Sequence, residues 1–276
     1  MGDFDFKVIN AEEEIQHIVD EIKKYFVKNG NENTKAVIGI SGGKDSTIAA
    51  TLLVRALGSE RVIGVMMPEG TQKDIHDSQE VCDILDIEAY TINIGDAVQA
   101  LYGGLIPVRA QSEIDGPLPA IVTTNTPARI RMATLYAVAG LVGGRVINTG
   151  NKSELYIGYT TKYGDLAGDF AIFKDYCVRE VLEIGDNLDE LPAHLVHKAP
   201  GDGMSGKTDE DNTGIPYDVL DAYLLDEVIP EYDILRKIEE RHNRNLHKRD
   251  ICMPYIRIRT RAWHENSNKE ESPFSF

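Results

Sequence analysis

Between residues 11 and 29 the apolar side chains Ile15, Ile18, Val19, Ile22 and Phe26 return every three or four positions, with acidic, basic and amide residues between them. That spacing puts them on one stripe and predicts an amphipathic helix. Beyond Lys35 the rhythm changes. Short runs rich in Val and Ile alternate with longer helical patterns: a strand at 35–40, a helix from about Ser46 to Leu57, a strand at 61–67, a helix near 73–85, a strand at 88–94, a helix after Thr126 to Leu141 and a strand at 145–148. Strands that are apolar on consecutive positions are covered on both faces, and their alternation with helices predicts an α/β protein with a parallel sheet between two helical layers. Past residue 158 the pattern fades. Residues 199–214 are dense in Gly, Asp, Ser and Thr and are expected to form a mobile loop. Helices from Pro216 to Leu225 and from Pro230 to Leu246 give a helical C-terminal part, and no internal repeat is found.

The chain has 276 residues, enough for one α/β core with insertions, so a single domain over 1–276 is expected. Acidic residues number 45 against 29 basic, a net charge of −16 that repels polyanions and argues against nucleic acid as a partner. The basic run 236–261 is interleaved with Glu239, Glu240 and Asp250, as on a solvated helix face. Cys82, Cys177 and Cys252 cannot all pair and show no C-x-x-C spacing, which fits a reducing cytoplasm. The acidic N-terminus has no apolar leader and no run approaches 18 apolar residues, so no membrane association is expected.

Chemistry first shows in the segment Gly39-Ile40-Ser41-Gly42-Gly43-Lys44-Asp45-Ser46-Thr47, between a predicted strand and a predicted helix. Adjacent glycines let backbone N–H groups close on an anion, and the helix N-terminus adds partial positive charge. The loop is neither G-x-x-x-x-G-K-[ST], because Asp45 follows Lys44, nor G-x-G-x-x-G. Its S-G-G-K-D-S core resembles the pyrophosphate loop of the ATP pyrophosphatases, which split ATP between the α- and β-phosphates. After the last predicted strand comes a second cluster, Asn148-Thr149-Gly150-Asn151-Lys152-Ser153-Glu154, and then Lys162-Tyr163-Gly164-Asp165 and Asp169. Both clusters lie at C-terminal strand ends, where ligands collect in parallel sheets. Asp45 and Glu154 are hard oxygen donors of the kind Mg²⁺ prefers, one from each cluster.

Taken with T-K-Y-G-D (161–165) and His247-Lys248, these segments are similar to the NAD synthetase family, from about Ala11 to Asp250. The resemblance implies a Rossmann-like sheet of the adenine nucleotide alpha hydrolase type and amidation of deamido-NAD with ammonia. ATP is the co-substrate, Mg²⁺ the metal, and AMP and pyrophosphate leave. It further implies that Gly39, Ile40, Ser41, Gly42, Gly43, Lys44, Asp45, Ser46 and Thr149 contact ATP, that Asp45 and Glu154 hold the metal, and that Asp45, Glu154 and Lys44 form the catalytic set. Arg129, Lys162, Asp169, His247 and Lys248 are implied to contact deamido-NAD, and the family is homodimeric with the dinucleotide across the subunit interface. Glutamine-using members carry a separate amidase domain, and 276 residues leave no room for one, so free ammonia is the expected nitrogen donor.

The chain departs from the family at two places. An ATP-binding lysine is replaced by Val178 and a threonine by Gly201, so Lys174, Arg179 or Lys207 is expected to supply the missing charge. The tail after Tyr255, residues 256–276, matches no family feature. Two other readings are another amidating or thiolating ATP pyrophosphatase, and a nucleotide sensor without catalysis; a thiolase acting on tRNA wants a cysteine pair and a basic surface, and a sensor has no need of the paired acids.

Overall fold

The computed structural model describes residues 9–71, 75–198 and 208–248. Five strands form one sheet: β1 Lys35–Gly39, β2 Val62–Met66, β3 Glu88–Thr91, β4 Gly144–Asn148 and β5 Phe170–Ala171. Twelve α-helices follow in chain order as α1 Ala11–Asn29, α2 Lys44–Leu57, α3 Ile75–Ile84, α4 Gly95–Gly104, α5 Ile106–Gln111, α6 Ala120–Val142, α7 Lys152–Ile157, α8 Val178–Asp186, α9 Ala193–Val196, α10 Asp209–Thr213, α11 Tyr217–Asp226 and α12 Tyr232–Arg244. The expected α/β class is what the chain adopts.

All pairings are parallel and the strand order is β3-β2-β1-β4-β5, with Gly39 opposite Val65 and Ile38 opposite Ile147. The chain thus winds outward from β1 through β2 to β3 and returns to β1's other side with β4. The connections leave β1 and β4 in opposite directions, which opens a crevice at their C-terminal ends, the usual ligand position in such sheets.

Strand residues alternate between two cores. Ala36 and Ile38 pack with Ile22 and Phe26 of α1, Leu52 and Leu53 of α2 and Ile184 of α8. Val37 points the other way, with Val65, Val146 and Val138 of α6. A third cluster joins Ile157, Val178, Ile215, Tyr217, Leu220 and Ile238 under the C-terminal helices.

Several boundaries differ from expectation. The helix expected after Thr126 begins at Ala120 and carries Pro127 inside it; the Thr123 carbonyl, which an N–H at 127 would otherwise reach, accepts from the Tyr102 hydroxyl at 3.4 Å. Phe170–Ala171 is too short a strand to show a period. Most instructive is α10, which lies inside the stretch expected to be a loop. Thr208 Oγ1 accepts from Asp211 N at 3.1 Å, the Asp211 carboxylate accepts from Thr208 N at 3.0 Å, and Gly214 ends the turn at φ +66°. Its composition matches a loop's; its capping box makes it a helix. Residues 199–207, with Gly201 and Lys207, lie outside the described residues, as do the tail 256–276, Lys73 and Cys252.

Candidate active site

The first wall of the crevice is the loop from β1 to α2. Gly42 stands at φ +73°, and a Cβ there would come within 3.1 Å of the Ser78 backbone, so only glycine lets this turn pass α3. Gly43 caps α2 without lending a side chain, which leaves the first-turn N–H groups of α2 to a ligand. The two serines are tied to each other, Ser41 Oγ to Ser46 Oγ at 3.0 Å, while Ser46 Oγ donates to the Gly43 carbonyl at 3.1 Å and Ser41 Oγ accepts from Gly43 N at 3.2 Å. Gly39 and Ile40 carry the strand into this loop, with Ile40 N donating to Val65 O at 3.0 Å.

The opposite wall is the β4-to-α7 turn, Thr149 and Gly150 leading to Asn151. Asn151 is the N-cap of α7 and completes a capping box: its Oδ1 accepts from Glu154 N at 3.0 Å and Glu154 Oε2 accepts from Asn151 N at 3.2 Å. Its Nδ2 donates to Asp45 Oδ1 at 3.3 Å. One amide therefore joins the two walls and holds Asp45 and Glu154 beside each other. The sequence motif contains Asn151, but nothing in it tells that the side chain crosses to Asp45.

Lys44 is 4% exposed and its Nζ lies 2.9 Å from Asp45 Oδ2. Burial alone would lower its pKa, yet Asp45, Glu154 and Asp209 outweigh burial and leave it raised, so the ammonium is charged. Glu154 shows the converse. Burial first, then the facing Asp45 charge, lift its carboxyl well above the usual range against the pull of Lys44. Two acids so placed have too little positive charge between them. Their oxygen donors fit a divalent cation that keeps waters and takes substrate phosphates as further ligands. Among the described residues no group of three or more His, Cys, Asp or Glu side chains is gathered to hold a metal without such help. Asp209, buried in α10, acts on Lys44, Glu154 and Tyr217, and sequence reasoning missed it because it sits in a stretch with a loop's composition.

A basic group forms beyond β4. Arg129 Nε donates to the Lys162 carbonyl at 3.2 Å, Lys162 Nζ donates to the His247 carbonyl, and Lys248 Nζ donates to the Gly158 and Thr160 carbonyls, both at 2.7 Å. The T-K-Y-G-D turn presenting Lys162 is fixed by Thr161 N donating to Asp165 Oδ1 at 2.6 Å. Burial, with Arg241, Arg244 and Arg129 nearby, lowers the Lys248 ammonium. Arg129, Lys162, His247 and Lys248 thus come together although 118 positions separate the first from the third. Asp169 does not join them. Its carboxylate accepts from Val146 N at 2.7 Å and from the Tyr136 hydroxyl at 3.4 Å, beside a 430 Å³ hollow that includes Gly143, Gly144 and Arg145 at the other end of β4.

Of the residues expected to replace the family lysine at 178, Lys207 lies outside the described residues and Arg179 is engaged elsewhere. Arg179 pairs with Asp226 at 2.8 Å, and Val178 is packed against Ile157 and Tyr217. Valine here fills core.

The model of the NAD synthase family matches residues 14–252. The chain belongs to the NAD synthase family. It is 42% identical to the NH3-dependent NAD+ synthetase of Methanococcoides burtonii over 68% of this chain and 70% of that one. Against the enzyme of the same name from Archaeoglobus fulgidus it is 36% identical over 91% of this chain and 99% of the relative. Among solved structures, the NMN synthetase of Francisella tularensis superposes with a TM-score of 0.78 at 33% identity, over 89% of this chain and 98% of the other. This NAD synthase family member has both walls of the crevice within the matched span.

Proposed function

We propose that this family member amidates deamido-NAD to NAD with ammonia, at the expense of ATP cleaved to AMP and pyrophosphate. The observation that carries the reading is the crevice between β1 and β4, where a pyrophosphate cradle and a carboxylate pair meet through Asn151. Family membership and the names of relatives matched nearly end to end support the reaction.

The chemistry follows from the difficulty of displacing oxide from a carboxylate. The nicotinate carboxylate oxygen attacks the α-phosphorus, the bond to the bridging oxygen breaks, and pyrophosphate departs into the loop at Ser41, Gly42, Gly43 and Ser46. Ammonia then attacks the acyl carbon, and AMP leaves with the former carboxylate oxygen. Backbone N–H groups of the cradle and the Lys44 ammonium face the phosphate oxygens as charge builds on them. Asp45 and Glu154 would hold Mg²⁺, which neutralises phosphate charge when bound. Thr149 contacts ATP from the second wall. Arg129, Lys162, His247 and Lys248 receive the acidic dinucleotide.

Asp169 stands apart from that basic group, and a dinucleotide lying across two chains would let it contribute from the second, in line with a homodimer. Helix α6 is apolar around much of its girth and leaves apolar side chains exposed toward both of its ends, Ile121 at 70% and Leu141 at 86%, apolar area that a second copy would cover. No described helix is long and apolar enough to cross a membrane, and a place in the cytoplasm is part of the same proposal.

A second reading has one observation in its favour, the likeness to an NMN synthetase: the acid amidated would be the mononucleotide. The test is incubation with ATP, Mg²⁺ and ammonium and either deamido-NAD or nicotinate mononucleotide, followed by product identification. AMP, pyrophosphate and NAD support the main reading, and faster turnover of the mononucleotide selects the second. ADP as product overturns both.

A further inference from the structure

Tyr217 opens α11 and is 6% exposed, yet its hydroxyl has no hydrogen-bond partner among the described residues. Buried hydroxyls are almost always paired, and an orphan calls for an explanation. Its surroundings supply one. The backbone N of Tyr217 donates to Glu210 Oε1 at 2.8 Å, which ties it to α10, and its ring lies 6.0 Å from the Lys44 ammonium. Burial first, and then the charges of Glu154, Asp209 and Asp45, push its ionisation far up, so it stays a neutral phenol that keeps its proton to donate. The ring therefore lies beside Lys44, within the field of the crevice's carboxylates, with a proton to offer and no acceptor for it among the described residues.

We propose that Tyr217 is a further residue of the cation and phosphate site, its hydroxyl donating to an oxygen that arrives with a divalent cation, either a cation-bound water or a phosphate oxygen of ATP. This rests on the assignment of Asp45 and Glu154 as the cation's ligands. It explains why a phenol is tolerated unpaired in the apolar cluster of Ile157, Val178 and Ile238. It also gives the α10–α11 corner a part in the site, although α10 lies 55 residues beyond Glu154 in sequence.

The test compares wild type, Tyr217→Phe and Asp45→Asn, with Mn²⁺ as the probe. Free Mn²⁺ is read by electron paramagnetic resonance without ATP and with it, and the unliganded proteins are melted in parallel. Because the lost hydroxyl has no partner, Tyr217→Phe is expected to melt at the wild-type temperature or higher, yet to bind Mn²⁺ about threefold to tenfold more weakly, the worth of one hydrogen bond. Weakening with Mn²⁺ alone identifies a cation-bound water as acceptor; weakening only with ATP identifies a phosphate oxygen. Wild-type Mn²⁺ binding by Tyr217→Phe in both arms, while Asp45→Asn loses it, overturns the proposal and leaves the cation site standing. Wild-type binding by Asp45→Asn overturns the cation site itself. A clear fall in the melting temperature of unliganded Tyr217→Phe reveals a partner in the free protein, and that too overturns the proposal.

Discussion

At the scale of single residues the site turns on charges that cancel imperfectly. Asp45 and Glu154 raise each other's cost, Lys44 offsets part of it, and removing either acid is expected to cost more than its own contact. Charge-assisted contacts are worth about 1.5–3 kcal/mol, so Asp45→Asn and Glu154→Gln should each lower kcat/KM by at least about tenfold with the fold intact by circular dichroism. Near-normal turnover in either variant would falsify the assignment. Asp221 is a different case. It is 1% exposed, accepts from Ser153 Oγ at 2.5 Å and from Arg179 N at 2.7 Å, and burial raises its pKa from 3.8 to about 6 despite those bonds. An acid with a raised folded-state pKa gives stability that is full below the unfolded value and lost as pH rises through the folded one. The loss over the whole window is roughly 3 kcal/mol. Asp221→Asn should therefore gain on wild type between pH 4 and pH 7 in urea titrations; a constant difference across that range would show that the carboxyl stays ionised throughout. The cradle residues and both acids were legible in sequence because each stands in a local pattern with its own chemistry. Asn151, Asp209 and Tyr217 were not, since their roles are contacts made across tertiary structure.

Elements place these residues, and their ends matter more than their middles. Helix α10 exists through its caps, and it carries Asp209 and the Glu210 side chain that holds Tyr217 N. Thr208→Ala removes one cap at a cost of about 1 kcal/mol, and the damage should be local: the KM for ATP should rise while that for deamido-NAD changes little. Equal effects on both constants would mean that α10 supports the whole fold. The T-K-Y-G-D turn is the one proposed to serve the other substrate. Lys162→Ala leaves the turn's own Thr161–Asp165 bond in place and should raise the KM for deamido-NAD without altering ATP binding measured alone. If ATP binding weakened instead, Lys162 would belong to the first wall. Strands β1 to β4 and helices α1, α2, α3, α11 and α12 were readable from their apolar pattern, whereas the two-residue β5 was not. Other helices were not read from the pattern: α4, α5, α7, α8 and α9 were not expected, and α10, which its capping box holds, was taken for loop.

For the whole molecule, the strand order decides where the crevice opens, and the proposed contact through α6 would decide how many chains take part. A dimer built on α6 should appear in sedimentation at micromolar concentration, and Leu141→Glu should shift it to monomer while raising the KM for deamido-NAD. Monomeric wild type with full activity would confine the site to one chain and leave Asp169 out of it. The same strand order has a consequence for synthesis. β1 ends at Gly39, but its partner on one side, β4, begins only at Gly144. While the intervening residues are being made, the strand that bears the phosphate loop is the open edge of a three-stranded sheet, with Val37 not yet covered by α6. Such an edge invites pairing with any other extended chain. The active crevice thus forms only once β4 has been made, and a nascent chain stalled before residue 144 is the form of this protein most exposed to aggregation.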